Sequence, residues 1–126
     1  MRELTKAEDQ VMQILWKLEK AFVKDIIDHL PKPKPAYNTV STIVRILKKK
    51  GFVGYTAYGK THEYYPLIKK NQYTQFYLNN LVKGYFGGSF QHLVAFFAAE
   101  NKMDIRDIDS LMNELEELKK KRLLIN

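Results

Sequence analysis

The chain has 126 residues, 45% of them hydrophobic, which allows one domain of ordinary size or two small ones. Its formal net charge of +7 favours a polyanionic partner without naming it. Cysteine is absent, so disulfides, thiolate metal sites and cysteine nucleophiles are excluded.

Two short helices are predicted near the start of the chain. Thr5 and Glu8 have the spacing of a capping box, which predicts a helix that begins after Thr5. Its predicted buried stripe is Val11, Ile14, Leu15 and Leu18, with Trp16 on a flank. Ala21 and Phe22 interrupt the pattern. Residues 23–30 then predict a second helix, and its inward residues are Ile26, Ile27 and Leu30.

A proline-rich segment follows, in which residues 31, 33 and 35 are proline. Each proline disfavours helix at the residue before it, so the second helix ends here and an extended connection follows. The lysines between the prolines either reach a DNA phosphate or belong to a solvated linker. The sequence leaves both readings open.

Residues 36–51 predict the helix around which the rest of the chain is organised. Its apolar stripe is Val40, Ile43, Val44 and Leu47. The opposite face carries Asn38, Ser41, Thr42, Arg45 and Lys49. Residues 48–50 are lysines in the last turn, where cations suit the helix dipole, and Gly51 is predicted as a left-handed cap. Such a helix can present its polar face to nucleic acid, although an ordinary surface helix has the same pattern.

After Gly51 the hydrophobic period changes to two residues. Residues 52–57 and 61–65 predict two strands, joined by a turn in which Gly59 supplies a positive φ, and Pro66 ends the second strand. Three helices, of which the third is basic, followed by a hairpin predict a winged helix-turn-helix domain over residues 1–70.

The remaining residues, 71–126, predict three helices. The first carries Tyr73, Phe76, Tyr77, Leu81 and Tyr85 on one face, and the second is capped by Ser89 and runs to about Glu100. The third begins near Asp104, with an apolar stripe of Ile105, Ile108, Leu111, Met112, Leu115 and Leu118. Because so few helices bury little surface alone, we predict a helical dimerisation module; packing against the first half is the alternative. The predicted fold class is mainly α with a small β-hairpin wing.

The charge distribution assigns the two halves different roles. Residues 1–70 hold 14 Lys and Arg against 7 Asp and Glu, whereas residues 71–126 hold 7 of each. The first half is therefore expected to contact DNA. The longest apolar run, residues 93–99, is too short to cross a bilayer, and the polar N-terminus lacks a signal-peptide core. We expect a cytoplasmic protein that does not insert into membranes.

The candidate site residues fall into three groups. Base-edge contacts are predicted for Asn38, Thr39, Ser41, Thr42 and Arg45, whose side chains supply groups that groove edges can pair with. Phosphate contacts are predicted for Tyr37, Lys48, Lys49, Lys60 and Thr61. Interface or core positions are predicted for Phe76, Tyr77, Leu81, Phe86, Phe90, Leu93, Phe97, Leu111 and Leu115.

Catalytic and metal chemistry find no support in the sequence. His29, His62 and His92 lie far apart and lack carboxylates at zinc spacing, and no nucleophile, P-loop or paired-carboxylate motif occurs. We therefore predict no enzyme, no metal and no cofactor. Two alternatives to sequence-specific DNA binding remain open: a winged helix used for protein–protein assembly, and non-specific architectural DNA binding.

Four stretches resemble the penicillinase-repressor (BlaI/MecI) family of winged-helix regulators. They are LTKAE with VMQILW at residues 4–8 and 11–16, YNTVSTI with LKKKGFV at 37–43 and 47–53, YGK to YYPL at 58–67, and FGGS with LVAFF at 86–89 and 93–97. The resemblance spans nearly the whole chain, and the four stretches occur in the family's order.

The resemblance implies a homodimeric repressor on a pseudo-palindromic operator. It also implies release through a regulatory protease linked to a membrane sensor, which cuts the dimerisation half. Penicillinase repressors are cut at an Asn-Phe bond, and the corresponding pair here is Phe96-Phe97, without the asparagine. Copper-responsive relatives carry C-terminal cysteines, which this chain lacks, so a thiolate copper switch is excluded. Ser41 stands where β-lactam-responsive members often have arginine, so the preferred bases are expected to differ.

Overall fold

The structure is a computed structural model that describes residues 1–125. It divides into two compact units, Met1–Leu78 and Asn79–Asn126. The elements in chain order are α1 Lys6–Leu18, β1 Ala21–Phe22, α2 Val23–His29, α3 Tyr37–Lys49, β2 Val53–Tyr58, β3 Thr61–Pro66, α4 Lys70–Tyr85, α5 Phe90–Glu100 and α6 Ile105–Ile125. The predicted class, mainly α with a small wing, is confirmed; the domain boundary at residue 70 stays a prediction.

The first unit has one core between its helices and its sheet. Three members of the predicted stripe of α3, Val40, Val44 and Leu47, are fully buried, and the fourth, Ile43, is half-buried against the same core. The rest of this core is Val11, Met12, Leu15, Ala21, Val23, Ile26, Leu30, Phe52, Val53, Tyr64 and Tyr73. Burying aliphatic and aromatic side chains of this size stabilises a fold by roughly 1.5–3 kcal/mol each, so this core fixes the orientation of α3.

The buried face of α1 differs from its prediction. Met12 is fully buried, whereas Ile14 and Leu18 are only half-buried. The buried positions 8, 11, 12 and 15 follow the helical repeat but begin with a glutamate. The predicted stripe consists of apolar residues alone and so leaves out Glu8. It therefore lies to one side of the face that is buried in the structure.

The sheet has three antiparallel strands in the order β1-β3-β2. In the hairpin Tyr55 lies opposite Tyr64, and Tyr58 lies opposite Thr61. The predicted turn is confirmed, with Gly59 at a φ of 62°. The predicted break at residues 21–22 is corrected: Ala21 and Phe22 pair with β3. A two-residue strand is too short to show a period of two in the sequence.

The first part of α4 packs on the first unit. Tyr73 is buried, and its hydroxyl accepts a hydrogen bond of 2.8 Å from the backbone N–H of Leu4. Its ring also contacts Trp16 and Phe52. Phe76 is half-buried against the same core. Tyr73 and Phe76 were predicted to belong to a dimerisation module, with packing against the first half as the alternative. The structure shows the alternative for both residues.

The second unit leaves most of its apolar side chains exposed. Helix α4 ends in a left-handed turn at Gly87 and Gly88, and Ser89 caps α5 by accepting a hydrogen bond from the His92 backbone N–H. Neither α5 nor the described part of α6 contains a buried residue. Across residues 1–125, every helix is too short or too polar to span a bilayer.

Candidate nucleic-acid interface

The outward face of α3 carries the predicted base-edge residues. Asn38, Thr39, Thr42 and Arg45 are exposed, and Ser41 is half-buried. They are held there because Val40, Val44 and Leu47, on the opposite side of the same helix, are sealed in the core. Thr42, Arg45, Ile46, Lys48 and Lys49 line a shallow depression of about 490 Å³. The structure thus brings the hydroxyls, the amide and the guanidinium to one rigid surface.

Two of these side chains already make hydrogen bonds within the helix. The Thr42 hydroxyl donates to the Asn38 carbonyl at 2.8 Å. Arg45 donates through Nε to the Ser41 carbonyl at 3.3 Å. The Arg45 contact uses none of its four terminal N–H groups, so the fork that pairs with guanine can still be formed.

The three lysines at the end of α3 have different surroundings. Lys49 is exposed, and Lys48 lies with its ammonium 4.2 Å from the centroid of the Tyr55 ring. Lys50 instead forms an ion pair with Glu8, with Nζ–O distances of 2.8 and 3.0 Å to the two carboxylate oxygens. Lys48 and Lys49 can therefore face phosphates, whereas Lys50 fixes the end of α3 to α1.

The Glu8 carboxylate is buried yet stabilised in its charged form. Burial alone raises its pKa, but hydrogen bonds from Lys50 and Thr5 and the charge of Lys50 outweigh this effect and lower the pKa below 4.5. The hydrogen bonds of the predicted capping box are present, at 2.9 Å from the Thr5 backbone N–H to Glu8 and 3.2 Å in return. The same carboxylate thus caps α1 and holds α3.

The hairpin tip presents one further exposed lysine, Lys60. Lys60 and Thr61 are exposed beside Gly59, as a phosphate contact from the wing requires. Tyr58, which the sequence pattern did not predict as a contact, is 57% exposed at the tip, and its ring lies 6.0 Å from that of Phe22. Tyr55 and His62 were also missed. The alternating pattern of the strands places aromatic residues on both faces but does not show which ones meet α3.

Among the lysines of the proline-rich segment, Lys34 is held within the protein. Its ammonium donates to the backbone carbonyls of Asp28 and Leu30, near the end of α2. This contact satisfies carbonyls that the helix leaves free at its C-terminus. For Lys34, the interpretation as part of a linker is therefore better supported than a contact with a DNA phosphate.

The residues predicted for dimerisation are divided between the units. Phe76 and Tyr77 belong to the first unit, where Tyr77 is 45% exposed. In the second unit Phe90, Phe97 and Leu115 are more than half exposed. The half-buried members are Leu81, Phe86, Leu93 and Leu111. Within this unit an open cavity of about 510 Å³ is lined by Leu81, Tyr85, Phe86, His92 and Phe96.

The three histidines do not form part of a metal-binding cluster in the part of the chain that the structure describes. Across residues 1–125, no group of three or more His, Asp or Glu side chains is placed to hold a metal ion. His62 instead stacks on Tyr55, and His29 has its Nδ1 2.9 Å from the Asp25 carbonyl oxygen. The described polar side chains of α3 and the hairpin tip instead form a binding surface of cations, hydroxyls and an amide.

Comparison with known proteins matches this chain to a family. The model of the penicillinase repressor family matches residues 4–117. Methicillin resistance regulatory protein MecI of Staphylococcus aureus (strain N315) is 28% identical over 114 residues, which cover 90% of this chain and 93% of the relative. The penicillinase repressor of Bacillus licheniformis is 24% identical over 121 residues, with coverages of 95% and 94%. A solution structure of the DNA-binding domain of the repressor BlaI is 27% identical and has a TM-score of 0.49; the match covers 58% of this chain and 94% of that one.

Proposed function

The chain belongs to the penicillinase repressor family and is a DNA-binding transcriptional repressor, and we propose that it acts as a homodimer on a pseudo-palindromic operator. The exposed polar face of α3, fixed by a fully buried stripe, is the observation that carries the proposal. We assign the chain a binding role and no catalytic one. Since a repressor shares a compartment with its operator, we place it in the cytoplasm.

In the proposed complex α3 enters the major groove and the hairpin lies on the flanking backbone. Base edges are read by Asn38, Thr39, Ser41, Thr42 and Arg45. Arg45 has the largest role, since an arginine that pairs with guanine through two hydrogen bonds discriminates against other bases by about 1–3 kcal/mol. Phosphates are contacted by Tyr37, Lys48, Lys49, Lys60 and Thr61, which fix the register on the duplex without reading its sequence.

The exposed apolar surface of the second unit supports the homodimer. Large apolar side chains more than half exposed there include Phe90, Phe96, Phe97, Met112 and Leu115. A unit this small buries too little surface to be stable alone, so a second copy is the proposed cover. The proposal rests on the dimerisation residues of this unit: Leu81, Phe86, Phe90, Leu93, Phe97, Leu111 and Leu115. Two-fold symmetry then matches two operator half-sites.

We extend the proposal to the relief of repression by a protease linked to a membrane sensor. The bond between Phe96 and Phe97 lies inside α5, and the two rings are 56% and 57% exposed. A cut at this bond would separate the last turn of α5, together with α6, from the rest of the chain. The intact mass of the protein recovered from β-lactam-treated cells tests this step. A fragment that ends at Phe96 supports it, and full-length protein released from its operator contradicts it.

The function is tested by fluorescence anisotropy with the purified protein at near-physiological salt. Two duplexes are compared: the DNA upstream of the protein's own gene and a scrambled sequence of equal composition. We expect a difference of about 10³-fold or more in Kd, with two protomers on each specific duplex. Equal affinities for the two duplexes would indicate a non-specific architectural DNA-binding protein. No binding to either duplex would favour a role in protein–protein assembly.

A pair of arginine variants isolates the role of α3. Arg45→Ala should remove most of the difference between the duplexes, because the loss falls on base recognition. Arg106→Ala is the matched control, since Arg106 is also exposed but lies on α6. Equal losses in both variants would show that charge alone drives binding.

A further inference from the structure

Side chains from three elements meet in the crease between α3 and the hairpin. The Lys48 ammonium, from α3, lies 4.2 Å from the centroid of the Tyr55 ring, from β2. His62, from β3, stacks on the same ring, with centroids 4.3 Å apart and planes inclined by 17°. Tyr55 and His62 are half-buried and Lys48 is exposed. The last turn of α3 is thereby linked to both strands of the hairpin.

The contact restrains a side chain that is otherwise flexible. Holding a lysine in one conformation costs rotamer entropy. A cation–π contact offsets part of that cost and raises the population of the conformer that lies on the ring. The Tyr55 ring therefore places the ammonium in the crease before DNA is bound.

We propose that Tyr55 is a positioning residue for DNA binding, which holds Lys48 in place as a phosphate contact while His62 keeps the Tyr55 ring in orientation. A helix in the major groove and a wing on the flanking backbone lie on either side of one stretch of phosphates. A cation in the crease between them faces that stretch. The inference rests on the proposed placement of α3 and the wing.

A purely structural role for Tyr55 predicts a different result. Tyr55 pairs with Tyr64 across the hairpin, so its removal also loosens the sheet. Lower stability alone does not change how many phosphates the folded protein neutralises. That number is measured by the salt dependence of binding, because each neutralised phosphate of B-DNA contributes about 0.9 to the slope of log K against log salt.

The test uses the full chain and a duplex of about 30 base pairs of arbitrary sequence, since a phosphate contact acts on every sequence. Affinity is measured by anisotropy over a series of salt concentrations. We expect Lys48→Gln to lower the slope by about 0.9 for each bound protomer, which weakens binding about fivefold per protomer at physiological salt. Tyr55→Leu should produce at least half of that loss on a logarithmic scale. Tyr55→Phe should match the wild type, because phenylalanine retains the ring face.

Double variants separate positioning from general damage. Tyr55→Leu combined with Lys48→Gln should bind no more weakly than Lys48→Gln alone, since both changes remove one contact. Combined with Lys49→Gln, the neighbouring lysine, Tyr55→Leu should instead give additive losses. An unchanged slope in Lys48→Gln, or a wild-type slope in Tyr55→Leu, would overturn the proposal and leave DNA binding intact. Failure of the wild type to bind any duplex would refute the proposed function itself.

A spectroscopic measurement decides the matter if Tyr55→Leu does not fold. With the Lys48 ammonium 4.2 Å from the Tyr55 ring centroid, we expect the ring current to shift the ε-methylene protons of Lys48 upfield in the NMR spectrum. We expect this shift to persist in Tyr55→Phe and when DNA is added. Its disappearance on DNA binding would show that Lys48 leaves the ring to reach a phosphate, which contradicts a positioning role.

Discussion

Glu8→Gln removes the charge from the buried ion pair that joins the start of α1 to the end of α3. Glu8 is 4% exposed, and Lys50 Nζ lies 2.8 and 3.0 Å from its carboxylate oxygens. Glutamine at this position still serves the capping box, because its amide oxygen can accept from the Thr5 backbone N–H. The substitution therefore tests the charge and keeps the cap.

The burial of the two partners sets the size of the effect. Removing one partner of a buried pair costs about 3–5 kcal/mol when the remaining charge is sealed from water. The Lys50 side chain is 24% exposed and can turn toward solvent, so we expect Glu8→Gln to lower the free energy of unfolding by about 2 kcal/mol. Lys50→Met leaves the less exposed partner, Glu8, unpaired and should cost about 3–4 kcal/mol.

Urea denaturation followed by tryptophan fluorescence measures this loss. Trp16 is the only tryptophan of the chain, and its indole N–H donates to the Ile68 carbonyl at 2.9 Å, so its emission reports on the first unit. Glu3→Gln is the matched control, because Glu3 is exposed and should change stability by less than about 0.5 kcal/mol. Equal effects of Glu8→Gln and Glu3→Gln would refute the reasoning.

The pH dependence gives an independent check. The pKa of Glu8 is lower in the folded chain than its ordinary value of 4.5. The charged form is therefore the one that folding favours, and its contribution is fully present above pH 4.5 and lost as the pH falls through the folded pKa. The difference between wild type and Glu8→Gln should be constant near neutral pH and shrink below pH 4.5. A difference that does not change on acidification would contradict the ion pair.

Three further predictions concern the wing and the second unit. Lys60→Ala should weaken binding to operator and scrambled duplexes alike and lower the salt slope by about 0.9 for each bound protomer in anisotropy titrations; a loss confined to one sequence would contradict a phosphate contact. Gly59→Val should lower the urea-derived free energy of unfolding by about 1–2 kcal/mol, because its φ of 62° is strained for a β-branched residue, while Gly59→Asn should retain most of the stability. Leu115→Asp should raise the dimer dissociation constant at least about tenfold in sedimentation equilibrium, whereas Asn113→Asp, also on α6, should not; equal constants would remove Leu115 from the interface.

Local chemistry made much of the fold predictable from the sequence. The capping box of Thr5 and Glu8 lies within one turn of helix, so its spacing alone locates the start of α1. The stripe of α3 repeats at helical spacing, and Val40, Val44 and Leu47 of it are fully buried as predicted. Gly59 is found where a tight hairpin needs a positive φ. Each of these features depends on residues a few positions apart.

The features that were missed depend on residues far apart in the chain. Glu8 and Lys50 are separated by 42 positions, and no periodicity links them. Tyr55 meets Lys48 only because the core sets the angle between α3 and the hairpin. The apolar face of α4 was assigned to one module, although Tyr73 and Phe76 pack on the core of the first unit. Sequence patterns identify an apolar face but not the surface that covers it.

If Thr42 faces a base in the proposed complex, its hydrogen bond to the Asn38 carbonyl inside α3 restricts which operator variants the repressor can accept. The Thr42 proton is already donated, so a base edge meets only the lone pairs and the methyl group of this residue. Adenine and cytosine offer amino groups to the major groove, thymine offers a methyl group, and guanine offers two acceptors. In the proposed complex, an adenine-to-guanine transition opposite Thr42 would set a carbonyl against an oxygen without a proton to give. In that complex, the direction of one hydrogen bond within the protein would limit which base substitutions the operator tolerates at that base pair.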